Sequence, residues 1–159
     1  MTHNEGLRHS VPLCDAAVAP ERLRESLDGL SALMQANGIE PGLWGHAGDG
    51  ILHFQPRLNL GQIGDRQKVF RLLDEHAKLV LGLGGTVSSE AGDGRLRTPY
   101  LEPMYGPELY ALFQKVKKIF DPYGTLNPGV KFGTSLDDIK GMIRPDFSLD
   151  HLYAHLPRS

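Results

Sequence analysis

The sequence predicts an α+β domain: an antiparallel sheet with helices on one face, ferredoxin-like in connectivity. Three observations carry this. Strand-like and helix-like hydrophobic periods follow one another as strand, helix, strand, strand, helix, strand, helix. Asp49-Gly50 stands between the two middle strands, and Asp-Gly is hairpin chemistry, so those strands are expected to be antiparallel. The order forms an approximate β-α-β pseudo-duplication, with no low-complexity segment or linker dividing it.

Each element has its own signal. Residues 10–20, SVPLCDAAVAP, read as a strand stopped by Pro20. Residues 20–38 follow with Leu23, Leu27, Leu30 and Leu33 or Met34 at helical spacing. Pro20 and Glu21 suit a helix start, and Asn37-Gly38 a helix end. Residues 39–48 and 50–60 are the two strands around the Asp-Gly turn. Residues 64–85 form a second amphipathic helix, with Val69, Leu72, Leu73, His76 and Val80 on one face and Gly84-Gly85 closing it. Residues 86–103 read as a strand leading into a loop. A third helix starts near Pro107 and ends at Asp121-Pro122. Residues 125–135 are an irregular connector, and residues 148–159 a short terminal helix.

Composition narrows the function classes. With 159 residues, 40% hydrophobic and 23% charged, the chain suits one globular domain with a real core. Its 17 basic and 19 acidic residues leave a net charge of −2, which argues against nucleic acid or an anionic membrane as partner. No apolar run approaches the roughly 18 residues of a membrane span, and the N-terminus has no apolar signal core. The single cysteine, Cys14, excludes an internal disulfide and suits a reducing, cytoplasmic setting. It lies in an apolar run with no basic neighbour, so it reads as a buried structural thiol.

The chemistry concentrates at GHAGDGILH, residues 45–53. His46 and His53 flank a glycine-rich turn, and Gly45, Gly48 and Gly50 argue against a helix there. Trp44 and His46 share one face of the first strand, and His53 and Gln55 one face of the second. If the faces coincide, the imidazoles converge as the first two ligands of a metal such as Zn²⁺ must. The other reading of the same spacing is two unrelated half-buried histidines. Glu90, among the small Ser88, Ser89, Ala91 and Gly92, is the candidate third ligand. His3 and His9 lie near the terminus, and His76 reads as a helix-face residue. His151 and His155 have i, i+4 spacing but no third partner, and they read as ordinary.

Three motifs occur in order: GHAGDGILH (45–53), SSEAGDGRLRTPYL (88–101) and FDPYGTLNPGVKF (120–132). Together they resemble the C-terminal part of FAD-linked oxidases of the vanillyl-alcohol oxidase type, the group of D-lactate, glycolate and D-2-hydroxyglutarate dehydrogenases. The stretch from Arg95 to Pro122 looks especially like the large members with an additional iron–sulfur module. The resemblance runs from about residue 8 to 133. It implies a cap (substrate) and metal domain over residues 1–104, a flavin-facing helix and segment over 105–133, and a tail over 134–159. The N-terminal FAD-binding domain of these enzymes is expected to be absent.

The resemblance further implies that His46, His53 and Glu90 hold a divalent metal, usually zinc, and that Asn127 lies in a region returning to the flavin of FAD. The implied activity is oxidation of a small D-2-hydroxy acid to the 2-oxo acid, with hydride transfer to flavin N5. Three positions depart from the family pattern. Ala91 stands where the family has its catalytic histidine, so no catalytic residue is assigned. Ile51 replaces an asparagine, and Val130 displaces the lysine to Lys131. The implied partner is an FAD-binding domain in cis or in trans, with self-association of the isolated chain. The chain then reads as a cut-out domain, a gene fragment or one subunit of a split enzyme. The alternative, favoured by Ala91 and Ile51, is a non-catalytic relative or fragment that acts as a metal- or partner-binding module.

Overall fold

A computed structural model of the chain describes residues 9–11 and 13–143. The strands are β1 (His9–Ser10), β2 (Cys14–Ala17), β3 (Pro41–His46) and β4 (Ile51–Leu58). The helices are α1 (Leu23–Ala36), α2 (Ile63–Gly82), α3 (Leu101–Tyr105), α4 (Pro107–Phe120) and α5 (Leu136–Met142). β4 is the central strand and pairs antiparallel with β1, β2 and β3. Beyond β2, Ala17 and Thr86 exchange two backbone hydrogen bonds of 3.0 and 2.8 Å, and Asp15 bridges to Ser88. This is the expected β-α-β-β-α-β order, but the last strand is reduced to two bridging positions.

The single strand expected over 10–20 is two strands. His9 faces Leu58 while Asp15 faces His53, so six steps along one chain match five along the other, the count of a β-bulge. α1 begins three residues later than expected, because residues 20–22 form a 3-10 turn. The face expected on α2 is the buried one: Val69, Leu72, Leu73, His76 and Val80, joined by Ala77.

β4 sets the two sides of the sheet. Leu52, Phe54, Pro56 and Leu58 are buried, while Ile51, His53 and Gln55 are half-buried and Arg57 is exposed. Phe54 and Leu58 pack in one core with Leu30 and Met34 of α1 and Val69, Leu72, Leu73 and Val80 of α2. The helices therefore cover one face, and the histidine face lies on the other side.

Past residue 86 the expectations need correction. Residues 101–103, the end of the stretch read as loop, begin α3, and residues 136–142, read as tail, form α5. α5 starts with a capping box, in which the Ser135 hydroxyl accepts from Asp138 N–H at 3.2 Å and the Asp138 carboxylate accepts from Ser135 N–H at 2.8 Å. α4 lies where expected, yet none of its residues is buried. Leu112, Val116, Ile119 and Phe120 are exposed, and so are Tyr123 and Leu126 beyond it. Val130 and Phe132 are half-buried, and Phe132 tilts against Tyr110 with ring centroids 5.5 Å apart. No helix among the described residues is long and apolar enough to cross a membrane. His3, His151, His155, the terminal helix expected at 148–159 and the side chains of His9 and Cys14 lie outside what is described.

Candidate metal centre

The hairpin that carries both histidines is tight for identifiable reasons. A side chain on Gly45 would put its Cβ 2.0 Å from the Ile51 carbonyl oxygen, so β3 approaches β4 closely only with glycine there. Residues 47–49 make a 3-10 turn, and Gly50 closes it in the left-handed region at φ +68°. Trp44 then pairs with His53, and His46 with Ile51. Directly paired residues share a face, as do residues two apart, so both imidazoles emerge on the same side of the sheet. Their rings meet edge to face with centroids 6.4 Å apart. Trp44 stacks on the His53 ring at 5.5 Å and 17°.

Glu90 reaches the same point from the loop after the residue-86 bridge. Its Oε2 lies 2.7 Å from His53 Nε2, and its Oε1 lies 3.4 Å from His46 Nε2. Asp15 of β2 builds this loop. Its carboxylate accepts from Ser89 N–H at 3.2 Å, from Glu90 N–H at 3.0 Å on each oxygen, and from Ala91 N–H at 2.6 Å. The Ser89 hydroxyl donates to it as well. Asp15 is also the register partner of His53, whose Nδ1 is 3.7 Å from Asp15 Oδ1.

The electrostatics follow from this wiring. Burial by itself raises the pKa of Asp15, but the Ser89 hydroxyl, the Glu90 and Ala91 N–H groups and the Arg97 charge outweigh it, and the carboxyl sits below its usual range. Arg97 donates to the Gly92 carbonyl at 2.6 Å, which holds the other end of the loop. His76, behind on α2, is buried, and desolvation together with Arg97 lowers its pKa to about 4.

The three residues expected to ligate a metal are thus brought together. Their donor atoms lie within 4.8 Å of one another, and they form the one such group among the described residues. A tetrahedral zinc with nitrogen and oxygen ligands near 2.1 Å separates its donors by about 3.4 Å. The 3.4 Å separation between His46 and Glu90 matches that value and the 2.7 Å separation between His53 and Glu90 is shorter, so small side-chain adjustments suffice. Two imidazoles and one carboxylate are a donor set suited to zinc and neighbouring divalent ions, and leave a coordination position open.

Asn127 is elsewhere, in the left-handed region at φ +46°, where its carbonyl accepts from Val130 N–H at 3.1 Å. Its turn is tied to the chain just past the Glu90 loop. Arg95 donates twice to the Pro128 carbonyl, at 3.2 and 2.8 Å. Lys131 N–H donates to Thr98 Oγ1 at 2.9 Å, and the Lys131 ammonium pairs with Asp93. Ala91 keeps its backbone on Asp15 and offers only a methyl group. Sequence reasoning missed Asp15 and Arg97. The available signal for Asp15 was a carboxylate inside an apolar strand run, a residue type rarely buried without partners.

The model of FAD linked oxidases, C-terminal domain, matches residues 4–130. The chain is 36% identical over 132 residues to the D-2-hydroxyglutarate dehydrogenase of Pseudomonas putida, covering 83% of this chain and 13% of that protein. It is 36% identical over 126 residues to the D-lactate dehydrogenase of Archaeoglobus fulgidus, covering 79% of this chain and 28% of that one. It is 29% identical over 126 residues to the glycolate oxidase subunit GlcD of Bacillus subtilis, covering 79% and 27%. The chain therefore spans an eighth to just over a quarter of the length of these relatives. With the three motifs, the sheet order and a family match over most of its length, the chain belongs to the C-terminal domain family of FAD-linked oxidases.

Proposed function

We propose that the chain is the substrate- and metal-binding part of an FAD-dependent 2-hydroxy acid dehydrogenase, oxidising a D-2-hydroxy acid to the 2-oxo acid together with an FAD-binding domain in cis or in trans. The observation that carries this reading is the convergence of His46, His53 and Glu90. A bound divalent ion, zinc in the first instance, would supply Lewis-acid polarisation of the substrate hydroxyl and a counter-charge for its carboxylate. FAD, held mainly outside this chain, would be the hydride acceptor.

The chain's own residues have separate tasks in this reading. His46 and His53 offer imidazole lone pairs at Nε2, and Glu90 offers its carboxylate, with Oε1 toward His46 and Oε2 toward His53. Asn127 is the proposed contact to the flavin, and the Arg95–Pro128 hydrogen bonds couple its turn to the Glu90 side of the site. The exposed face of α4, with Leu109, Leu112, Val116 and Ile119 in 3-4-3 spacing, is the proposed seat of the FAD-binding domain. A single cysteine in the chain suits the cytoplasm as its compartment.

Ala91 supports a second reading, a non-catalytic module that keeps the metal. A methyl group accepts no proton, so the hydroxyl proton must leave to a group other than residue 91.

Metal analysis of the purified protein tests the shared core of both readings. Wild type is expected to hold about one equivalent of zinc, manganese or iron, and a His46→Ala/His53→Ala double variant close to none. Equal metal in the two proteins removes the site.

A further inference from the structure

We propose that Asp15 is the positioning residue of this centre, presetting two of its three donors through one buried carboxylate. The inference rests on the metal reading and adds to it the residue that assembles the site. Asp15 is 2% exposed. Three successive N–H groups, of Ser89, Glu90 and Ala91, converge on its carboxylate along with the Ser89 hydroxyl. This concentration of donors fixes the backbone from which Glu90 projects, just past the last backbone pairing bond, from Ser89 N–H to the Asp15 carbonyl at 3.1 Å.

The same carboxylate faces His53. An imidazole that uses its Nε2 lone pair toward a ligand carries its proton on Nδ1. Asp15 Oδ1 stands 3.7 Å from that nitrogen, too long for a hydrogen bond as it stands. Closing less than 1 Å would complete the carboxylate–histidine pair that commonly backs a metal-bound histidine. The loop donors stabilise the buried charge, and its place as the register partner of His53 turns the same carboxylate toward the imidazole. The juxtaposition across β2 and β4 places one charge where it serves both donors.

Cobalt is the probe, because Co²⁺ gives visible bands that report its coordination. Trp44, the single tryptophan, stacks on His53 and reports the ion's arrival by quenching of its emission. Asp15→Asn removes the charge with little change of volume. It is expected to weaken Co²⁺ binding about 10- to 100-fold and to alter the visible spectrum. Ser89→Ala keeps the charge and removes one donor; it is expected to weaken binding a few-fold, the worth of a single hydrogen bond. Far-UV circular dichroism checks that each variant is folded, and if Asp15→Asn is not, Ser89→Ala decides by the same two readouts. A folded variant that binds Co²⁺ with wild-type affinity and spectrum overturns the positioning role, whatever its melting temperature. Wild type that takes up no Co²⁺ overturns the metal reading itself.

Discussion

Acidification should weaken this domain through His76, and the size of the effect can be worked out. His76 is 5% exposed on the buried face of α2, near Arg97. Desolvation first, and Arg97 second, lower its pKa from 6.5 to about 4. The folded state thus binds fewer protons than the unfolded state between those values. The stability from keeping His76 neutral is fully present above pH 6.5 and falls as the pH drops toward 4. The full difference is about 3 kcal/mol, from 1.36 kcal/mol per pKa unit. Linkage puts about 2 kcal/mol of it between pH 7.5 and pH 5. That is a large fraction of a typical domain stability of about 5–15 kcal/mol. The carboxyl of Asp15, with its pKa below the ordinary 3.8, adds its own loss only at lower pH, outside this window.

The assay is urea unfolding with a chelator present, followed by circular dichroism and Trp44 emission at both pH values. His76→Leu keeps a similar volume and removes the titrating ring. The wild-type midpoint should fall by about 1 M more than the variant's between pH 7.5 and 5, for a slope near 2 kcal/mol per molar urea. The comparison cancels the groups that both proteins share. Equal losses in the two proteins refute the reasoning, and so does a wild type with no loss.

Two further outcomes are expected. With an FAD-binding half supplied by fusion or in trans, Ala91→His should raise 2-hydroxy acid oxidation by about 10²- to 10⁴-fold, the usual worth of a placed acid–base group; equal rates would mean that another group handles the proton. Incubated with FAD and passed through gel filtration, the chain alone should emerge colourless and as a dimer or larger, because α4, Tyr123 and Leu126 leave a broad apolar surface open; a yellow monomer would contradict the proposed division of labour.

The hairpin was legible in sequence because its signals are local. Alternation puts Trp44 and His46 on one side, Asp-Gly reverses the chain, and His53 returns on the same face. Glu90 was reached through its small neighbours and the family motif. Asp15 was not, since the N–H groups that use its charge lie 74 to 76 residues away and no spacing rule links them. α5 was hidden by shortness: its only buried side chain is Ile139, and the capping box at Ser135 is its clearest mark. The shrinkage of the last strand is a tertiary matter: Ser89 N–H still donates to the Asp15 carbonyl at 3.1 Å, but Glu90 and Ala91 give their N–H groups to the Asp15 carboxylate and leave the ladder.

β4 has a consequence for how this protein can fail. A slip of one residue along β4 would turn His53 toward the helices and Phe54 toward the open face, because side chains alternate strictly. Phe54 is fully buried, so the slip is forbidden by the same packing that supports the fold. Donor alignment and core integrity are therefore read from one ruler. Damage that loosens α1 or α2 from the sheet should blur the placement of His53 without touching any residue of the open face. Variants selected only for tighter packing beneath Phe54 should, in turn, sharpen the chemistry on the other side.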